Sequence, residues 1–169
     1  MTSLSACVIP VGPRFEDPPG QENLAPEIEN TDPLQGGVVT VPSNTAKRIT
    51  ITVTDPNASD DLYIRWIAEY PPYTINSIIL LNEPVSHAAN GERLHSPQAI
   101  AISCQYPLAR TITLHTLMAL VSDRPFLQVP DSQEADAGTL LDLEKLLTTA
   151  QDGAKTTEAH WFVSLPCPE

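Results

Sequence analysis

Long apolar runs, basic residues and glycines are all scarce in this chain of 169 residues. No stretch approaches the roughly 20 consecutive apolar residues of a bilayer-spanning helix. Nine Lys and Arg stand against 21 Asp and Glu, for a formal net charge of -12, and only Lys47 and Arg48 adjoin. A surface of that sign with no basic patch repels phosphate backbones, so nucleic acid is not an expected partner. Seven glycines leave little material for phosphate-cradling loops, and neither a P-loop, a dinucleotide-binding glycine pattern nor a GxSxG elbow occurs. His87, His95, His115 and His160 lack the spacing of a metal motif, and no cysteine pair has zinc-ligand separation. His115 and His160 fall on expected strands, where a structural role is the better reading than catalysis. The expectation is a protein that is not an enzyme, with no cofactor and no evident small-molecule substrate.

Proline is abundant, at 17 residues, and favours extended segments and turns over long helices. Composition divides the chain near residue 35. From residue 8 to 34, prolines at 10, 13, 18, 19, 26 and 33 alternate with acids at 16, 17, 22, 27, 29 and 32. Such a stretch buries too little apolar surface to offset its ordering entropy. Residues 7–35 therefore read as a flexible tether, extended by its prolines to ~3.1 Å per residue, ahead of one folded domain over 36–169.

Within that domain the pattern is short alternation. "KRITITVTDP" sets Ile49, Ile51 and Val53 on one face and Thr50, Thr52 and Thr54 on the other; "DDLYIRWIAEYPP" alternates Leu62, Ile64, Trp66 and Ala68 with Tyr63, Arg65, Ile67 and Glu69. That is the period of a strand. Further strands are expected at 38–41, 76–81, 98–104, 111–122, 126–129 and 159–165, separated by turn-forming Asn, Asp, Gly and Pro. About seven short strands so spaced predict a mainly β fold, an antiparallel β-sandwich. One segment differs. In "GTLLDLEKLLTTAQDG" the leucines suit one helical face, with Thr139 as N-cap and Gly153 beyond the end, which predicts a short helix over 139–150. A leucine-studded loop is the alternative.

The run "ITVTDPNASDDLYIRW", from Ile51 to Trp66, resembles the B strand, intervening turn and C strand of immunoglobulin-like domains, including those of bacterial surface proteins. The resemblance implies that Trp66 is a core residue packed between two sheets. The strand cysteines of antibody domains are missing here: position 51 is Ile, and 111–122 contains no Cys.

Cys104 and Cys167 each follow an expected strand. Joining them would close a loop of about 64 residues and stabilise the fold by roughly 4 kcal/mol. Two buried free thiols are the alternative, but a disulfide best explains a cysteine so near the chain end and implies an oxidising compartment.

The third cysteine stands in Leu4-Ser5-Ala6-Cys7, which resembles the lipobox of bacterial lipoproteins. The resemblance implies diacylglycerol on the Cys7 thiol and cleavage before it, residues 1–6 being the remnant of a signal peptide whose basic and apolar parts lie upstream of Met1. Acyl chains contribute ~0.8 kcal/mol per buried CH₂, so two or three hold a protein stably on a membrane. The implied location is the bacterial cell envelope, and Val8 after the cysteine points to outer-membrane sorting, with the body facing the periplasm or cell surface. The membrane, through its anchor, and an envelope protein are the expected partners of a binding or structural module. An accessory domain of a secreted or periplasmic enzyme system, and a cytosolic β-domain with a coincidental lipobox, are the other readings.

Two surface features complete the candidates. Tyr70 and Tyr73 flank a Pro-Pro pair in "EYPPYTINSIILLNEP", giving rigid amphipathic contact suited to recognition, or else a bend packed on the end of the fold. Asp55, Asn57, Asp60 and Asp61 offer hard oxygen donors of the kind that bind Ca²⁺. They lack the glycine and distal Glu of an EF-hand, so a turn in which Asp and Asn bond their own backbone is preferred.

Overall fold

A computed structural model describes residues 22–43, 45–57, 60–69, 78–85, 97–104, 114–127 and 150–167. Eight strands run in the order β1 (Glu27–Asp32), β2 (Val38–Thr40), β3 (Lys47–Thr54), β4 (Leu62–Ala68), β5 (Ile78–Val85), β6 (Gln98–Ile102), β7 (Leu114–Ser122) and β8 (Thr156–Ser164). They form two sheets, β1-β3-β6 and β2-β8-β7-β4-β5, antiparallel throughout except for the β2–β8 pair. The described residues contain no helix. The helix expected at 139–150 lies outside them except for Ala150, which makes an isolated bridge with Phe126. Of the strand expected at 126–129 only Phe126 and Leu127 are described, and they form no strand beyond that bridge.

Both sheets contribute to one core. Ile49, Ile51 and Val53 of β3 and Ile100 and Ile102 of β6 pack with Leu62, Ile64 and Trp66 of β4, Leu117, Ala119 and Val121 of β7, and Ala159, Trp161 and Val163 of β8. Alternation places these side chains together, because residues two apart on a strand share a face. Trp66 is fully buried there and stacks with Trp161, ring centroids 5.8 Å apart.

The five-stranded sheet is buried on its other face as well. Ile67, Met118 and Leu120 lie under Phe126 and Ala150, with Tyr63 and Ile79 packed alongside. The connection from β7 to β8 thus returns across the outer face at its two described ends. This explains why β4 is almost wholly buried while β3 alternates.

The tether expected over 7–35 requires correction at its C-terminal end. Residues 27–32 form β1, which pairs with β3 through a register shift between Ile28 and Asn30. A composition argument misses this strand because β1 lies at a sheet edge, buries only Thr31 fully and Ile28 in part, and gains its order from backbone pairing. Charged, polar residues are normal on such an edge. After the cis Asp32-Pro33 bond, Gly36 takes φ of 77° and donates its N–H to His160 O at 2.7 Å. A side chain would strain that left-handed backbone. The chain thereby leaves the sheet of β3 and joins β8. Strand β5 also runs beyond the expected 76–81, to Val85, and includes Pro84. Its edge position tolerates a residue without an N–H.

Candidate functional site

Cys104 and Cys167 form a disulfide with Cα atoms 5.5 Å apart, and both pack against the shared core. Cys104 lies just beyond β6 and Cys167 just beyond β8, so the bond joins the two sheets. It does more than hold down the last strand. Cys7, Tyr70 and Tyr73, together with His87 and His95, lie outside the described residues.

The turn after β3 gathers the most concentrated electrostatics. Asp55 is fully buried, and its Oδ1 accepts the Asn57 N–H at 2.7 Å. The side chain of Asn57 faces the entering N-terminal segment: Oδ1 accepts the Leu24 N–H at 3.0 Å and Nδ2 donates to Glu22 O at 3.1 Å. Nearby, Asp123 at the end of β7 is buried, and its Oδ1 accepts the Lys155 N–H at 2.8 Å. Asp55 Oδ2 and Asp123 Oδ2 are buried without a hydrogen-bond partner among the described residues. Burial pushes the Asp55 carboxyl up to about 6; Asp60 and Asp123 push the same way, while the Asn57 N–H and Arg124 pull against them.

Of the four oxygen-bearing residues singled out as a calcium candidate, the turn brings Asp55, Asn57 and Asp60 together through backbone bonds, including Asp60 N–H to Asn57 O at 2.9 Å. Asp61 is exposed and acts instead on Tyr63, whose phenol is raised by burial first and by Asp61 second. Among the described residues, no three His, Cys, Asp or Glu side chains are arranged to hold a metal ion.

Two further polar constructions were not evident from the sequence. Arg65, on the outer face of β4, is buried with its guanidinium carbon 4.5 Å from the Phe126 ring centroid. It donates to Leu127 O at 2.9 Å and to Asn82 Oδ1 at 3.4 Å. Burial lowers its pKa to about 10, so it stays charged at neutral pH. The arginine inside an otherwise apolar strand was the only available signal. At the other end of β4, Glu69 adopts φ of 59° and its carboxylate contacts His115 Nδ1, both side chains being largely withdrawn from solvent. His115 lies on β7, within the strand expected over 111–122. His160 lies on the outer face of β8, 3.1 Å from Glu158.

Neither a family model nor a curated protein matches the chain. Among solved structures, one chain from work titled "Structural basis for the enhancement of virulence by entomopoxvirus fusolin and its in vivo crystallization into viral spindles" is similar at 10% identity and a TM-score of 0.38. The similarity covers 78% of this chain and 38% of that one, so this chain spans well under half of its neighbour's length. At that TM-score the likeness carries no argument about function.

Proposed function

We propose that this chain is a lipid-anchored protein of the bacterial envelope whose immunoglobulin-like β-sandwich serves as a non-enzymatic binding or structural module. One observation carries the reading. Cys104 and Cys167 are bonded to each other, which leaves Cys7, within Leu4-Ser5-Ala6-Cys7, as the one remaining cysteine of three. A disulfide inside the body favours an oxidising compartment, and the lipobox-like run offers the means of attachment there. The proline- and acid-rich stretch before Glu22 has the composition of a spacer.

Strand order supports the immunoglobulin-like assignment. Strands β1, β3 and β6 correspond to A, B and E of that fold, and β8, β7, β4 and β5 to G, F, C and C′. Trp66 then holds the C-strand tryptophan position, and the sheet-to-sheet disulfide joins E to G in place of the antibody B-to-F bond. Tyr70 and Tyr73 follow directly on β4 and Glu69, and we assign partner contact to them.

The test is metabolic labelling with an alkyne fatty acid in a bacterial host, using the chain with its native upstream sequence. Label and membrane fractionation that disappear in Cys7→Ala are expected. A mature product that retains Met1 and carries no acyl mass would overturn the anchor. For the surface, Tyr70→Ala/Tyr73→Ala should reduce cross-linking to envelope proteins without changing the melting temperature; unfolding instead would assign the tyrosines to the core.

A further inference from the structure

The N-terminal segment enters the folded body through Asn57. Both hydrogen-bonding groups of its side chain are committed to that segment, at Leu24 N–H and Glu22 O, and its own N–H is held by Asp55 Oδ1. A single buried carboxyl therefore stands behind the contact that fastens residues 22–24 to the turn after β3. Asn23 adds only an exposed bond, Nδ2 to Gly153 O at 3.3 Å.

We propose that Asp55 works as a proton-operated clasp: with its carboxyl neutral, the turn grips the entering segment, and with its carboxyl ionised the grip loosens. The charged groups that act on Asp55 are Asp60 from its own turn and Asp123 and Arg124 just beyond β7; the two acids raise its carboxyl and the guanidinium lowers it. Asp55 Oδ2 and Asp123 Oδ2 are both buried without a hydrogen-bond partner among the described residues. A proton taken from solvent onto Asp55 Oδ2 turns one of these oxygens into a donor and removes one of the repelling charges. Oδ1 continues to accept the Asn57 N–H. Loss of that proton strengthens the bond that Oδ1 accepts from the Asn57 N–H, but the larger cost of a desolvated charge beside others of its sign outweighs this gain, and rotation of the turn toward water relieves it. Asn57 moves with the turn and releases Glu22 and Leu24. The direction of the Asp55 shift, upward from the ordinary carboxyl value, agrees with a neutral form favoured by the closed turn. The clasp stands on these contacts alone and does not depend on what the N-terminal segment is attached to.

Amide hydrogen exchange on the full chain, resolved by NMR at Leu24, tests this after correction for the intrinsic pH dependence of exchange. Protection of the Leu24 amide should be at least roughly tenfold greater near pH 5 than near pH 8. Asp55→Asn, which keeps the acceptor and is always neutral, should hold high protection at both values. Asn57→Ala should lose it at both. Equal protection of the wild type across this range would overturn the proposal, as would an Asp55→Asn protein that keeps the wild-type response. Should Asp55→Asn fail to fold, Asp123→Asn serves instead: removal of one opposing charge should move the midpoint of the Leu24 response to lower pH, and an unmoved midpoint counts against the clasp.

Discussion

Trp66 and Trp161 stack in the shared core from strands that both pair with β7, and Trp161 Nε1 also donates to Pro33 O at 2.9 Å. One side chain thus packs the centre of the protein and holds the crossing from β1 to β2. Trp161→Phe retains the aromatic contact but removes the donor, leaving Pro33 O in need of a partner. We expect a loss of roughly 1–2 kcal/mol for Trp161→Phe and about 3–5 kcal/mol for Trp161→Ala. Urea denaturation followed by circular dichroism measures both; a Trp161→Phe protein as stable as the wild type would mean that the hydrogen bond adds nothing.

The bond between Cys104 and Cys167 spans a sequence separation of 63 and connects the two sheets. The unfolded chain gains a large closed loop's worth of freedom when it is cut. Cys104→Ala/Cys167→Ala should cost about 4 kcal/mol on the loop-entropy account, and reductant should lower the wild-type melting temperature while leaving the variant unchanged.

Arg65 separates a packing role from a charge role. Arg65→Ala should destabilise the protein by roughly 3 kcal/mol, because it opens a cavity under Phe126 and strips Leu127 O of its donor. Arg65→Lys keeps a charge but loses the planar stacking group, and should fall between wild type and alanine. A lysine variant as stable as wild type would show that stacking on Phe126 contributes little. Equilibrium unfolding at constant denaturant slope provides the measurement.

His115 and Glu69 should behave as a coupled pair. Each side chain is withdrawn from water beside the other, so removing either leaves the second poorly solvated. In a cycle of His115→Ala, Glu69→Ala and the double variant, the losses should be non-additive by about 1–3 kcal/mol. Additivity within error would mean that the contact is incidental to the left-handed backbone of Glu69.

Asp55 also gives global stability a predictable pH slope. Burial pushes its carboxyl up to about 6 in the folded protein, from an ordinary value of 3.8. Between those values the folded state holds a proton that the unfolded state has released, so its contribution falls as pH rises from about 4 to about 6 and is flat above. The full difference is on the order of 2–3 kcal/mol. Asp55→Asn should flatten this part of the stability profile, read as melting temperature across the window; a slope unchanged in the variant would assign it to other groups.

Alternation alone located β3 and β4, with Ile49, Ile51 and Val53 inward and Trp66 in the core, because face selection along a strand is a local property of the backbone. The pairing of Cys104 with Cys167 was the preferred reading over two free thiols, because each follows an expected strand and one stands close to the chain end, and the structure forms the bond. The strand at Glu27–Asp32 was not: its order comes from the edge it offers β3, and a partner strand leaves no mark on the composition of a polar segment.

The sequence by itself determined a mainly β chain, its acidic character and its principal inward-facing residues, and it favoured the disulfide that the structure forms. Only the tertiary structure decided that Asp123 stands near Asp55, that Asn57 grips Glu22 and Leu24, and that Arg65 lies beneath Phe126. Those relationships join residues distant along the chain, and they exist only once the sheets have packed.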